Sequence, residues 1–349
     1  MPPHVAHVLL ELSPFHALAF VVQIRDYQPA GHSRTRAARA ATKSWGRAVT
    51  EFRPDRRRGI GLMLMAGLCW SLGGVIVRML VVQNTWEIVF WRSLFMAVFV
   101  VTILVSLHGR GTLDEIRAVG ASGVISAICL AAQIHFFILA LRHTSTANTF
   151  VLMSISPLVT AIVGRLFMRE QIAWHTWLAI AVALTGIAVM FGQDFAVGVA
   201  GGQWLGNLFA LGVPLAYACQ ILSARRVRGT VGTRAPNLMP TILIAGIIAA
   251  VPAFGWMPAI SANARDIGLL ALMGGLQLGL GCWLMTLAVR HLRAAEMGLL
   301  ALVETILAPL WVWLVVGEIP GTAALIGGAL IVGALIANGA LALRRPSDA

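Results

Sequence analysis

The stretch "VRHLRAAEMGLLALVETILAPLWVWLVVGE", Val289–Glu318, decides the fold, because from Ala294 to Val316 it is almost wholly apolar yet carries a carboxylate, Glu304, near its middle. About 20 mostly apolar residues, rising about 1.5 Å each, carry a helix across the hydrocarbon of a bilayer. This run is long enough. The whole chain repeats the theme: 349 residues, 58% hydrophobic and 11% charged, with a mean hydropathy of +0.83, hold more apolar surface than a soluble domain of that size can hide. Ten such runs are legible, at 59–81, 86–107, 118–141, 146–168, 173–192, 202–224, 237–257, 267–289, 294–316 and 320–343. The expected fold class is therefore an all-α membrane protein of ten transmembrane helices. Gly and Ala crowd these runs, as close helix packing in lipid requires, and "GLQLG" (Gly275–Gly279) has the spacing of a close-approach face.

An earlier stretch, "LRHTSTANTFVLMSISPLVTAIVGRLFMRE" (Leu141–Glu170), is the counterpart of the first at an ungapped offset of 148. In each, an Arg-His pair precedes a span, and a Glu follows 27 residues after the His, as Glu170 and Glu318. Ala147 matches Ala295, Leu152 matches Leu300 and Leu166 matches Leu314. Five spans precede the Gln193–Gly201 connector and five follow it, and an odd number of helices turns the second copy upside down. The expected organisation is two inverted five-helix repeats, 59–192 and 202–343, behind a basic tail, 1–58. Inverted repeats are typical of secondary transporters that rock about a site near the midplane, although duplication can also merely build a stable bundle.

The net charge of +12 is a topology signal and not a nucleic-acid signal. Ten of the 26 Lys and Arg lie in the first 58 residues. Beyond them, twelve arginines (Arg110, Arg117, Arg165, Arg169, Arg225, Arg226, Arg228, Arg234, Arg290, Arg293, Arg344 and Arg345) fall on the tail's side, against Arg78, Arg142 and Arg265 opposite. The positive-inside rule then puts both termini in the cytoplasm. From Arg25 to Arg58 the tail is polar, basic and without a usable period, so it is expected to be disordered or to lie on anionic lipid. The apolar stretch upstream is broken by His7, Glu11, Pro14 and His16 and does not read as a signal peptide. Cys69, Cys129, Cys219 and Cys282 each fall inside a span, which argues against a disulfide framework or a zinc site.

The "RHTSTAN…SPLVTAIVGRLFMRE" block, its partner "VETILAPLWVWLVVGEIP", the small-residue helix "TAALIGGALIVGALIA" and the five-plus-five plan together resemble the EamA-type transporters of the drug/metabolite transporter superfamily, over residues 59 to 343. The resemblance implies a carrier of the bacterial inner membrane, often an exporter of amino acids or related metabolites.

An ionisable group deep in a bilayer costs a few kcal/mol on insertion scales, about 2.5–3.5, so it faces a cavity or a partner. Arg92, His135 and Glu304 qualify, whereas Arg78, Arg165 and Glu296 lie near helix ends and can snorkel. Glu304 sits close to the midplane and Arg92 about 9 Å from a surface, an axial gap of about 6 Å that a guanidinium can close, so a cavity ion pair is expected. The alternatives for Glu304 are a substrate or proton pathway and a structural pair. The repeat sets Ser156 opposite Glu304, with the helix breakers Pro157 and Pro309 beside them; broken backbone there either lines the binding site or is a packing kink. Gln133, Asn148, Gln220 and Gln277 are substrate contacts or helix-to-helix hydrogen bonds. His135 is a proton relay or a satisfied neutral ring. Trp70, Tyr217 and Trp283 are stacking walls or ordinary packing, while Trp86 and Trp204 suit the interfacial belt. Glu170 and Glu318 are expected to hold neighbouring helix N-termini.

No P-loop, HExxH, nucleophile elbow or ligand cluster is present in the sequence, so an ATP-driven pump or an enzyme is not expected, and no catalytic residue, metal or cofactor is assigned. Three readings remain in order: a secondary carrier, a translocator of lipid or lipid-linked substrate with a cavity open sideways, and a membrane-embedded enzyme. A channel lacks a repeated polar pore motif. The expected partners are a small-molecule substrate and membrane lipid, with coupled protons and a homodimer left open and nucleic acid excluded.

Overall fold

The computed structural model describes residues 55–169, 171–197, 203–228, 238–289, 291–292 and 294–344. The tail before residue 55, Glu170 and most of the connector at 198–202 lie outside the described residues. Within them the protein is all-α, with ten helices long and apolar enough to cross a membrane. It is an integral membrane protein. The spans are α1 (Arg56–Met79), α2 (Thr85–His108), α3 (Gly120–His143), α4 in two pieces (Thr146–Met153 and Ser156–Met168), α5 (Trp174–Val197), α6 (Gln203–Arg228), α7 (Met239–Trp256), α8 in three (Ala264–Leu272, a π-helical Met273–Leu280, Gly281–Ala288), α9 (Ala294–Val316) and α10 (Thr322–Arg344).

Caps explain where the helices start. α1 begins three residues earlier than its hydropathy suggests, because the Asp55 carboxylate accepts from the backbone N–H groups of Arg57 (3.1 Å) and Arg58 (3.2 Å). Asn84 does the same for α2 and Asn263 for α8. The first acids of those two helices look outward instead. The Glu87 carboxylate accepts from Ser261 N (2.9 Å), Ala262 N (2.8 Å) and Ser261 Oγ (2.6 Å), in the loop leading into α8. Asp266 accepts from Val81 N (3.1 Å) and Val82 N (3.0 Å), in the loop leading into α2. Both acids are buried, and at a helix N-terminus the dipole favours their charge.

α1 packs on α8 and α9, α6 on α3 and α4, α2 on α7 and α8, α7 on α3, and α5 on α10. Each of these partnerships has a counterpart when helix numbers are shifted by five. α1 and α9 run in the same direction at a constant register. Arg56 meets Glu296 at 2.7 Å, Trp311 Nε1 donates to Ser71 Oγ at 3.0 Å, and Arg78 meets Glu318 at 2.7 Å, every pair being 240 residues apart. Ile88, Met96, Leu104, Ile138, Phe150, Leu270 and Met273 fill the main core, and Leu152, Met190 and Ile331 a second one between α4, α5 and α10.

The close approach expected of Gly275 and Gly279 is shifted by one residue at its first member. A side chain at Gly275 would meet nothing nearer than Phe99 at 4.0 Å, whereas one at Gly274 would collide with the Arg92 carbonyl oxygen and one at Gly279 with the Phe99 ring at 2.6 Å. The π-helical turn is the reason, since it delays the helix face relative to a 3.6-residue period.

Candidate functional site

α2 and α8, held together by those two glycines and by the Glu87 and Asp266 contacts, bring Arg92 to Gln277. Arg92 Nη2 donates to Gln277 Oε1 at 3.3 Å, and its guanidinium lies 4.9 Å from the centre of the Phe137 ring of α3. Gln277 Nε2 in turn donates to the Trp70 carbonyl of α1 at 3.2 Å. Gly73 leaves room for this, because a Cβ there would sit 3.0 Å from both Gln277 Nε2 and Phe137. Arg92 is 3% exposed, and its Nε and Nη1 have no hydrogen-bond partner among the described residues. The π-helical insertion carries Gln277, a placement frequent at functional sites.

Glu304 does not pair with Arg92. No ion pair joins them within 4.0 Å, and the guanidinium is committed to Gln277 and Phe137 instead. The carboxylate of Glu304 is half-buried and takes part in no hydrogen bond among the described residues. Its direction follows from helix geometry at about 100° per residue. Trp311, seven residues on and so within about 20° of the same face, bonds Ser71 of α1. Ile306 and Trp313, almost opposite, are 59% and 51% exposed. The acid therefore looks into the bundle while the exposed apolar residues look out. Cys282 of α8, buried, is close enough to both Arg92 and Glu304 to feel their charges, which puts the three in one interior region.

The other polar residues singled out in the sequence are dispersed. Gln133 Nε2 donates to Gln220 Oε1 at 2.7 Å, joining α3 to α6. Asn148 Nδ2 donates to Asn207 Oδ1 and Thr144 Oγ1, both at 3.2 Å, closing a buried knot between α4, α6 and the end of α3. His135 Nδ1 lies 2.8 Å from the Ala131 carbonyl; since a carbonyl only accepts, Nδ1 is the donor of this bond. Its ring lies 5.9 Å from that of Trp86, which also meets Trp256 edge-on at 4.9 Å. Tyr217 and Trp283 are half-buried, the latter packed on the main core.

Ser156 has a local task. Pro157 lacks the N–H that would bond Met153 O, and α4 breaks there; the Ser156 hydroxyl donates to that same carbonyl at 2.6 Å. Pro309 leaves α9 unbroken. Arg78 does not snorkel: besides Glu318 it donates to Leu141 O (2.9 Å) and Thr144 O (2.8 Å), while Glu318 Oε1 accepts from Thr146 N (2.8 Å) at the start of α4. Glu318 thus holds the N-terminus of a neighbouring helix, and Glu296 pairs with Arg56.

Phe137, Gly73, Glu87, Asp266 and Asn207 were not singled out from the sequence. The N-x-x-Glu and N-x-x-Asp spacings at Asn84–Glu87 and Asn263–Asp266 are capping signatures that mark two of them; aromatic rings and small residues in an apolar run carry no such mark. A pocket between α4, α5 and α10, lined by Ala161, Gln171, His175, Thr176 and Ala342, lies away from Glu304. Among the described residues no three His, Cys, Asp or Glu side chains converge as metal ligands would.

Residues 57–192 match the EamA-like transporter family. Over 291 residues the chain is 25% identical to the pseudopaline exporter CntI of Pseudomonas aeruginosa, covering 80% of this chain and 95% of that one. An uncharacterised transporter of the same species is 26% identical over 135 residues, 38% of this chain and 45% of its own. A protein crystal structure superposes with a TM-score of 0.56 at 17% identity, covering 84% of this chain and all of that one, a likeness of fold alone.

Proposed function

We propose that this chain, whose residues 57–192 match the EamA-like transporter family and which is 25% identical to an exporter over 291 residues, is a secondary active carrier and not an enzyme. It exports a small metabolite, an amino acid or related compound that extends to drug-like molecules, across the bacterial inner membrane. Both termini are cytoplasmic, and the two five-helix halves, inverted relative to one another, alternate in opening a shared interior. The observation that carries this reading is Glu304, an unpaired acid half-way along a membrane helix on the face turned into the bundle. A carboxylate there is expensive unless cargo or protons meet it. Export is favoured because a relative aligned over 80% of this chain is an exporter.

The test compares metabolites inside and outside cells with and without the gene, then measures flux of the affected compound in vesicles with and without a proton gradient. A compound that builds up inside cells lacking the gene, and is carried in vesicles holding the purified protein, supports the reading. No affected compound, or equal flux in vesicles lacking the protein, removes it. A lipid-linked compound in the affected set favours the translocator instead.

A further inference from the structure

Arg92 is a cation without an anion. Within the bundle and 3% exposed, it has one long hydrogen bond to a neutral amide and one ring face, while among the described residues Nε and Nη1 have no acceptor and no carboxylate lies within 4.0 Å. A guanidinium presents five N–H donors in a planar fork whose edges match the two oxygens of a carboxylate. Gln277 fills one position of that fork with a single amide oxygen. Taking a charge out of water is repaid only when an opposite charge and good geometry meet it. Structural use alone leaves most of this cation's donors idle.

We propose that Arg92 is the anchor for an anionic end of the cargo, a carboxylate, which displaces the Gln277 amide and bridges Nη2 with Nε or Nη1. This deepens the carrier reading and rests on it for the word cargo; the binding chemistry itself does not. The surroundings suit the exchange. Gln277 sits on a π-helical turn, a feature frequent at functional sites, and its Nε2 is held by the Trp70 carbonyl, which leaves its oxygen free to be displaced. Phe137 lies 4.9 Å from the guanidinium carbon and offers a ring face but no hydrogen-bond acceptor for its N–H donors. The interior acid, Glu304, is in the same region but not bonded to the cation, so an incoming carboxylate does not first have to break an internal ion pair. A purely cationic cargo would be repelled by Arg92. The site therefore selects molecules that carry an anionic oxygen pair, whether or not they also carry a positive group.

The experiment uses the purified full-length chain in detergent and two isosteric probe pairs, leucine with leucinamide and hexanoate with hexanamide. Binding is read from tryptophan fluorescence and from the unfolding midpoint. The acid of at least one pair is expected to bind at least about tenfold more tightly than its amide, and Arg92→Gln to abolish that preference, as loss of a buried charge partner does. Arg92→Lys keeps part of it. Should the Arg92 variants fail to fold, Gln277→Ala reports instead, by tightening the acid at least about twofold through removal of its competitor. Equal binding of acid and amide, acid binding that survives Arg92→Gln, weaker acid binding in Gln277→Ala, or no binding by either acid overturns the proposal. Flux in proteoliposomes separates the two readings. Acid and amide carried alike leave the carrier standing and remove this site, whereas Arg92-dependent acid binding without flux does the reverse.

Discussion

Glu87 and Asp266 clasp each other's approaches: each, from the first turn of its own helix, accepts the backbone N–H groups of the loop that leads into the other's helix. The clasp fixes α2 against α8 at one end of the bundle, about 8 Å along α2 from Arg92. Removing either acid strands at least two donors in a buried place. Glu87→Ala and Asp266→Ala are each expected to cost at least about 2 kcal/mol. Because the two acids act on one junction, the double variant should lose less than the sum. Unfolding midpoints in detergent decide it, and an unchanged midpoint in either single variant would dismiss the clasp.

Arg78 and Glu318 fasten the same end of the bundle across α1, α3, α4 and α9. Each side chain is 24% exposed, so solvent takes back part of the attraction. A double-alanine cycle on the pair should give a coupling of about 1 kcal/mol, larger than a surface pair because backbone groups are also satisfied. Arg56 and Glu296, whose arginine is 68% exposed, should give a smaller one. A reversed order of the two couplings would contradict this account.

Gly274→Ala and Gly275→Ala differ by one position and should differ sharply in outcome. The first drives a methyl into the Arg92 carbonyl and must push α2 from α8, for about 1–3 kcal/mol. The second finds its nearest neighbour at 4.0 Å and should be nearly silent. Thermal unfolding of the two proteins side by side is sufficient, and equal midpoints would refute the packing described.

Ser156 and Pro157 form a local exchange in which a hydroxyl replaces a missing N–H. Ser156→Ala alone should cost about 1–3 kcal/mol by leaving Met153 O unsatisfied. Pro157→Ala returns the N–H, so on that background Ser156→Ala should cost little. Additive losses would mean that the carbonyl has another partner.

Much of the fold was legible because hydropathy and helix length are local properties: ten runs were read and ten helices are present among the described residues. Helix starts were missed by a few residues where a cap, such as Asp55 or Asn263, extended the helix past its apolar run. The site was less legible. That Arg92, Gln277 and Trp70 meet depends on the π-helical turn in α8 and on Gly73, neither of which leaves a trace in polarity. The expected Arg92–Glu304 pair failed for a related reason. Depth along the membrane put the two within reach, but depth says nothing of azimuth, and Phe137 and Gln277 stand on the side to which Arg92 turns. The interior direction of Glu304 follows instead from helical phase, with Trp311 seven residues later on nearly the same face.

Glu304 offers the sharpest separation of function from stability. Glu304→Gln keeps shape and polarity while removing the charge, and since no bond of the described structure depends on that carboxylate, expression and unfolding midpoint should be close to those of the parent. Flux in vesicles should fall to background, because an unpaired interior acid is retained against its cost for what it binds. Ile306→Gln, on the exposed side of the same helix, is the control and should leave flux intact. Arg92→Ala and Glu304→Ala should have stability effects that add within about 0.5 kcal/mol, since the two groups share no bond in this state. A strong coupling would mean that the pair forms in solution, and Arg92 would then have an internal anion. Undiminished flux in Glu304→Gln would leave the acid without a task and return α9 to a packing helix.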